Sequence, residues 1–212
     1  MQAQKNEVLP SLNETISSLI SEFAKIPEER KNDLKLLAEY IQGKHAKGEV
    51  AQLTFICTHN SRRSHMSQIW AATAAAYYGV DKVATFSGGT EATAFNKRAI
   101  KAMQQIGFQI NNAEGNNPHY QVKFATNQPK LECFSKKYDD AFNPQSDFCA
   151  VMTCAHADET CPIVRGADDR VSLPYDDPKA FDGTPMEAEK YHERSLQIGR
   201  EILYVFSNLK TQ

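Results

Sequence analysis

Residues 52–64, QLTFICTHNSRRS, join a short apolar run to a polar loop. The run at 52–57 is rich in β-branched and aromatic side chains, which favours a buried strand that ends at Cys57. An alanine-rich segment at 66–78 follows the loop, and Gly79 is well placed to end it as a helix. The stretch therefore predicts a strand, a loop and a helix in immediate succession.

The same alternation continues along the chain. The further predicted elements are strands at 83–87, 148–153 and 170–174 and helices at 96–105 and 186–209. Because strands that alternate with helices favour a parallel sheet, we expect an α/β fold in which helices flank an open parallel sheet on both faces.

Residues 10–46 carry apolar side chains at helical spacing and predict two amphipathic helices. Pro27 suits the first turn of the second helix, and Gly43 suits its end. We expect an N-terminal helical hairpin at 1–50 and a main domain at 51–212. Two interpretations of the hairpin stay open: a packing appendage or homodimer contact, and an arm that recognises a partner.

Residues 111–145 break this rhythm because they are rich in asparagine, proline and glycine. Short strands are predicted near 122–125 and 131–134. We interpret the segment as an inserted hairpin or long loop of the kind that often borders an active site.

The composition and charge of the chain argue against several classes of protein. The chain has 212 residues, 41% of them hydrophobic, and a net charge of −2, so no positive field favours nucleic acid or an anionic membrane. We expect no transmembrane helix and no secretory signal, since long apolar runs are absent from the sequence. Five cysteines, an odd number, fit the reducing cytosol better than a disulfide framework. The predicted location is cytoplasmic.

Cys57 and Arg63 are separated by five residues, and we call residues 57–64 the anion loop. Between a strand and a helix, such a loop lets its amides converge on one point, which makes an anion site without net positive charge. Arg63 adds a planar fork for two oxygens, and positive surroundings favour a thiolate nucleophile at Cys57. For the cysteine alone, the alternative is a buried structural thiol. The predicted substrate-binding residues are Thr58, His59, Asn60, Ser61, Arg62, Arg63 and Ser64.

Two loop residues have further predicted roles. Ser64 is expected to donate a hydrogen bond to the Cys57 thiolate, and Asn60 is expected to brace the loop. The ligand class that follows is a tetrahedral oxyanion such as phosphate or arsenate.

Asp177 is the predicted proton donor, since Pro178 holds it rigidly. A cysteine nucleophile cannot easily expel hydroxide or an alkoxide without a nearby acid. A simple Asp-Pro turn is the alternative for this segment, and a structural role is expected for Asp176.

Cys154 and Cys161 lie seven residues apart, directly after the predicted strand at 148–153. The carboxyl ends of parallel strands share one edge, so this pair is expected near Cys57. One thiol there can attack Cys57 once it carries an oxidised adduct, and another can take over the disulfide. Two alternatives are open: incidental thiols, and a metal site with His156, for which four well-placed ligands are lacking. No metal is predicted.

With these motifs assembled, the sequence resembles the low-molecular-weight protein tyrosine phosphatase superfamily, and within it the thioredoxin-coupled arsenate reductases most of all. The similarity runs over about residues 53–209. Its markers, in order, are the anion loop, Phe86-Ser87-Gly88-Gly89, residues 146–162 and Asp176-Asp177-Pro178. The spaced pair Cys154 and Cys161, followed by Pro162, is similar to the reductase branch in particular.

The resemblance implies a role for each matching residue. Cys57 attacks arsenate, Arg63 and the loop amides bind it, and Asp177 protonates the departing oxygen. Cys154 then attacks Cys57 and releases arsenite, and Cys161 forms a Cys154–Cys161 disulfide for a thioredoxin-like reductant.

Three positions in or near the anion loop differ from the usual residues of this family. In some members a potassium ion steadies the loop, and Asn60, Gln68 and Ser87 match its positions, although Gln68 replaces a carboxylate. His59 stands where glycine is usual and Arg62 where cysteine is frequent.

The resulting hypothesis is an arsenate reductase that uses a cysteine nucleophile and a thiol-disulfide relay, with no required cofactor. One alternative is a phosphatase that hydrolyses phosphotyrosine or small phosphoesters. A second, from another class, is a non-catalytic oxyanion or redox sensor.

Overall fold

The computed structural model describes residues 8–161 and 163–210. In chain order the strands are β1 (Ala51–Cys57), β2 (Val83–Gly89), β3 (Gln109–Ile110), β4 (Tyr120–Lys123), β5 (Leu131–Cys133), β6 (Phe148–Met152) and β7 (Ala167–Ser172). The helices are α1 (Pro10–Ser21), α2 (Glu28–Ala46), α3 (Arg63–Tyr78), α4 (Lys97–Ile106), α5 (Ala155–Thr160) and α6 (Glu187–Ser207), with 3-10 turns at Phe23–Lys25 and Pro178–Phe181.

Four strands form an open parallel sheet in the order β2, β1, β6, β7, which confirms the predicted fold class. Strand β1 lies at its centre and is buried apart from Gln52, as expected for a run with apolar residues on both faces. The register pairs Cys57 with Gly89 at the end of β2, so the anion loop leaves the carboxyl edge of the sheet. Open parallel sheets bind ligands at this edge.

The two faces of the sheet are covered differently. Long helices cover one face, where Trp70 of α3 packs fully buried against α6. The helices approach closely at Gly199, where an added Cβ would lie 2.6 Å from the Trp70 ring. On the other face, Ile56, Ala150 and Met152 form a smaller cluster with the short helix α5.

The predicted N-terminal hairpin is present as α1 and α2, and it packs on the main core. Leu12, Ile16 and Leu34 are fully buried in the same cluster as the sheet. The boundary near residue 50 and the homodimer contact stay predictions. The predicted end at Gly43 is wrong, because α2 continues to Ala46 and the left-handed turn belongs to Gly48, at φ 74°.

The segment at 111–145 contains strands, as predicted, and β3, β4 and β5 form a small antiparallel sheet. The predicted strand at 122–125 is displaced, since β4 ends at Lys123. Leu9 donates its amide to the Phe124 carbonyl at 2.9 Å, which ties the start of α1 to this sheet.

Other boundaries differ from the predictions for identifiable reasons. Helix α3 begins at Arg63, three residues before the predicted start, because the end of the anion loop forms its first turn. Strand β7 covers Ala167–Ser172 rather than 170–174, since its polar residues lie on the exposed edge of the sheet and lack an apolar pattern. Helix α5 was not predicted, as six residues are too few for a periodic apolar stripe.

No helix in the described part of the chain is long and apolar enough to cross a membrane.

Candidate active site

The backbone of the anion loop turns its carbonyl groups outward. The carbonyl oxygens of Thr58, His59 and Ser61 all accept hydrogen bonds from neighbouring segments. The donors are the amides of Glu91 and Asn96, each at 2.8 Å, the hydroxyls of Thr90 and Thr93, each at 3.2 Å, and the Ser135 hydroxyl at 3.0 Å. Among the described residues, the amides at 58–62 have no protein acceptor. Asn60, Ser61 and Arg62 are buried, and because buried amides need a partner, this part of the loop offers hydrogen-bond donors to an anion.

Cys57 ends β1 and is nearly inaccessible, with 4% of its surface exposed. Its Sγ lies 3.1 Å from the Ser64 hydroxyl, on the loop side of the strand end. Asn60 Nδ2 donates to the same hydroxyl oxygen at 2.9 Å, which leaves the Ser64 proton for the sulfur. The predicted contact between Ser64 and Cys57 therefore occurs, and it suits a thiolate nucleophile.

Asn60 also holds the loop in shape from its centre. Its backbone is left-handed, at φ 42°, a conformation that asparagine tolerates better than most residues. Its Oδ1 accepts the Lys136 amide at 2.9 Å, which fastens the loop to the segment after β5.

Removing the Ser64 hydroxyl is expected to lower the rate at which the Cys57 thiolate attacks its substrate. In Ser64→Ala, aryl phosphate hydrolysis should fall about 10- to 100-fold, since a hydrogen bond to a charged group is worth about 1.5–3 kcal/mol. The kcat for p-nitrophenyl phosphate measures this. Ser67→Ala is the matched control, because its hydroxyl contacts only the Arg63 carbonyl within α3, at 2.8 Å. Equal rates in the two variants would contradict the role of Ser64.

Gly89 is required for β2 to approach the anion loop. An added Cβ would lie 2.7 Å from both the Asn60 amide nitrogen and the Thr58 carbonyl oxygen. The neighbouring Gly88 meets the backbone of Tyr138 at 2.4 Å in the same way. Gly88 and Gly89 are therefore required at the end of β2 because a side chain at either position would clash with neighbouring backbone atoms.

Arg63 and Asp177 meet at the rim of the loop. Arg63 Nη2 contacts Asp177 Oδ2 at 2.8 Å, and Nη1 donates to the Tyr175 carbonyl at 2.8 Å. Arg63 Nε is buried and has no partner among the described residues. The guanidinium thus keeps its buried Nε–H free, while Asp177 occupies Nη2, which an oxyanion would otherwise contact. The Asp177 carboxylate also caps the 3-10 turn by accepting the Lys179 amide at 3.1 Å.

The two unusual loop residues have different surroundings. His59 is 45% exposed and its Nε2 lies 3.5 Å from Glu91 Oε2, so the side chain reaches to the rim. Arg62 is buried and lies 3.3 Å from the Tyr191 hydroxyl and 3.4 Å from Asp177 Oδ1. The second arginine therefore supports Asp177 rather than facing solvent.

Cys154 lies beside the start of the loop, as predicted from strand order. It caps α5 by accepting the Ala157 amide at 3.4 Å, and its Sγ is 3.5 Å from the Thr58 hydroxyl. Cys161 lies at the other end of this six-residue helix, partly exposed, with its Sγ 3.6 Å from the Ile163 carbonyl. All five cysteines are free thiols, and Pro162 lies outside the described residues.

Within the described ranges, no group of three or more histidine, cysteine or acidic side chains is placed to hold a metal ion. The potassium positions also fit a cation poorly. Asn60 Oδ1 already accepts the Lys136 amide, and the Ser87 hydroxyl lies 3.2 Å from His65 Nδ1. Of these three described side chains, only Gln68 has a buried oxygen without a hydrogen-bond partner, its Oε1, and that oxygen carries no charge. These residues do not match the oxygen-rich set that a bound cation needs.

Two buried residues next to the loop had no signal in the sequence. His65 follows Ser64, is fully buried and stacks on Phe95, and burial together with the Lys136 charge lowers its pKa well below 6.5. The imidazole is therefore neutral. Lys136 is also buried, and its Nζ lies over the Phe134 ring at 4.3 Å. Only the packing of distant segments creates these surroundings.

The N-terminal hairpin reaches the segment that carries Asp177. Arg30 of α2 donates to the Pro174 carbonyl at 3.2 Å and lies 4.9 Å from the centre of the Tyr175 ring. The same guanidinium forms a 2.9 Å ion pair with Glu201 of α6. The Tyr175 carbonyl accepts a hydrogen bond from Arg63. The hairpin therefore contacts the same segment that positions Arg63 at the rim of the site.

The fold and the loop define a cysteine-centred, oxyanion-binding enzyme of the low-molecular-weight phosphatase class, and comparison with known proteins agrees. Residues 52–128 match the family model described as low molecular weight phosphotyrosine protein phosphatase. An arsenate reductase from Halalkalibacterium halodurans is 32% identical over 149 residues, which cover 70% of this chain and 89% of the relative. An arsenate reductase 2 from Staphylococcus epidermidis is 32% identical over 124 residues, covering 58% of this chain and 76% of the relative.

A crystal structure of a YwlE mutant from Bacillus subtilis shares the fold. Its TM-score is 0.51 at 15% identity, and the match covers 76% of this chain and 99% of that one. The chain belongs to the low molecular weight phosphotyrosine protein phosphatase family, alongside its arsenate reductase relatives. The resemblance inferred from the sequence motifs is confirmed.

Proposed function

We propose that this chain reduces arsenate to arsenite with Cys57 as nucleophile and Cys154 as the second thiol. One observation carries the proposal: the Thr58 hydroxyl lies 3.5 Å from Cys154 Sγ, so a reducing thiol stands next to the anion loop. Hydrolysis of a phosphoester does not require such a thiol. The relatives named arsenate reductase support the same choice.

The reaction begins with arsenate held by the free loop amides and by Arg63. The Cys57 thiolate attacks arsenic and expels an oxygen, which Asp177 protonates so that it leaves as water. For this, Arg63 exchanges part of its contact with Asp177 for the bound oxyanion. The result is a sulfur–arsenic(V) bond at Cys57.

Reduction occurs in the second step. Cys154 attacks the Cys57 sulfur, a disulfide forms, and the electron pair of the sulfur–arsenic bond stays on arsenic, which leaves as arsenite. Cys161 then attacks Cys154 and frees Cys57. A thioredoxin-like dithiol reduces the Cys154–Cys161 disulfide and closes the cycle.

The last exchange requires α5 to unwind. Seven residues of a helix that rises about 1.5 Å per residue span roughly 10 Å, whereas a disulfide requires Cα atoms about 4.4–6.8 Å apart. Cys154 and Cys161 stand at opposite ends of α5, so the helix cannot persist in the oxidised form. The helix is only six residues long, which keeps the cost of opening it low.

The proposed reaction requires a thioredoxin-like reductant, which is consistent with a location in the reducing cytoplasm. A homodimer through the N-terminal helices would use the outer face of α2, where Leu36 is 53% exposed. The phosphatase alternative is favoured by one observation, the match of residues 52–128 to the phosphatase family model.

Adding arsenate to the fully reduced chain tests the proposal. We expect Cys57–Cys154 and Cys154–Cys161 disulfides, identified by mass spectrometry of alkylated peptides, and stoichiometric arsenite. Phosphate in place of arsenate is the control and should produce no disulfide. Free thiols throughout after arsenate treatment would favour the phosphatase instead.

A further inference from the structure

The Thr58 hydroxyl stands between a thiol and an imidazole. It lies 3.5 Å from Cys154 Sγ and 3.3 Å from His156 Nδ1. His156 is exposed on the first turn of α5, so its ring is not part of the core. The hydrogen bond with Thr58 is therefore the contact that links His156 to the candidate active site.

The three groups form a chain along which a proton can move. A hydroxyl both donates and accepts, so the Cys154 thiol can donate to Thr58 while Thr58 donates to the neutral His156 ring. When both protons shift, the protonated His156 ring donates to Thr58, and Thr58 donates to the Cys154 thiolate. Both hydrogen bonds are present before and after the transfer.

Cys154 needs such a route because it is enclosed. Its exposed fraction is 1%, which limits access by water or hydroxide. Among the described residues, its sulfur has hydrogen bonds only with the Thr58 hydroxyl and the Ala157 amide, and neither group can keep a proton as a stable base would. His156 is connected to Cys154 by these hydrogen bonds through Thr58, and its imidazole can hold a proton.

We propose that His156 accepts the proton of Cys154 through Thr58 as Cys154 attacks the arsenic-bearing Cys57. This inference rests on the proposed function. The sulfur–sulfur bond forms, the sulfur–arsenic bond breaks with its electron pair on arsenic, and arsenite takes up a proton on leaving. His156 is thus a positioning residue for the second thiol and not for the first step.

The experiment uses a Cys161→Ser background, in which the Cys57–Cys154 disulfide accumulates. Its rate of formation after addition of saturating arsenate is followed by rapid alkylation and mass spectrometry. We expect His156→Ala to slow the link about 100-fold, as for loss of a general base, and added imidazole to restore it. His156→Gln should stay slow, because glutamine can bond to Thr58 but accepts no proton. His119→Ala, at a 53% exposed histidine, is the matched control and should keep the parent rate.

The outcomes separate this inference from the proposed function. If the parent forms the link and His156→Ala forms it equally fast, only the role of His156 is wrong. Full activity of His156→Gln, or a slow His156→Ala that imidazole does not restore, would also overturn proton transfer. If the parent forms no link with arsenate, the proposed function and this inference both fail.

Discussion

Replacing Cys154 by serine is expected to lower arsenate turnover by on the order of 10⁶-fold, the scale of loss when a nucleophile is removed. A serine hydroxyl cannot form the disulfide that expels arsenite from Cys57. Hydrolysis of an aryl phosphate should change less than about twofold, since water rather than a thiol completes that reaction. Arsenite formation with a thioredoxin system and p-nitrophenol release measure the two activities.

Two further variants make this prediction specific. Cys161→Ser should release a single arsenite per chain and then stop, because the Cys57–Cys154 link has no thiol to resolve it. Cys133→Ala removes a buried thiol of β5 and should keep the native turnover per folded molecule. Undiminished arsenate turnover by Cys154→Ser would refute the thiol relay.

Arg30→Ala is expected to lower the free energy of unfolding by about 3–5 kcal/mol, the usual cost of removing one partner of a buried ion pair. The Glu201 side chain is only 4% exposed, and Arg30 is its partner at 2.9 Å. Glu201 Oε1 also accepts a hydrogen bond from Gln197 Nε2 at 3.1 Å, but that amide is uncharged and cannot replace the guanidinium. The midpoint and slope of urea denaturation measure the loss.

A control on the same helix isolates the effect of burial. Lys35 of α2 pairs with Glu39 at 3.4 Å, but the two side chains are 71% and 59% exposed, so Lys35→Ala should cost less than about 1 kcal/mol. The double variant Arg30→Met, Glu201→Leu should recover most of the stability, because no unpaired charge then stays buried. A loss in Arg30→Ala no greater than in Lys35→Ala would contradict the argument.

Much of the fold follows from local patterns. The apolar run before Cys57 and the alanine-rich segment after it predict β1 and α3, and the alternation beyond them predicts a parallel sheet. Boundaries were less accurate where polar residues form regular structure. Strand β7 begins at Ala167 because it pairs with β6, although its first residues are polar.

In the candidate site, too, contacts within one segment could be predicted, whereas contacts between distant segments could not. Ser64 contacts Cys57 as predicted, since a short loop between a strand and a helix has few conformations, whereas the hydrogen bond from Asn60 to Ser64 was not predicted. Helix α5 and the surroundings of Lys136 were missed, because a six-residue helix and a buried lysine depend on distant packing. The ion pair that joins Asp177 to Arg63 and Arg62 was also not predicted.

Residue order alone thus predicted the anion loop, since only a short segment separates Cys57 at a strand end from Arg63 at a helix start. It also supplied the cysteines and the Asp-Pro segment. Tertiary structure decided that Thr58 lies between Cys154 and His156, and that Arg30 reaches Pro174 across 144 positions of sequence. Such contacts depend on strand order and helix packing, which arise from the whole core and not from any one segment.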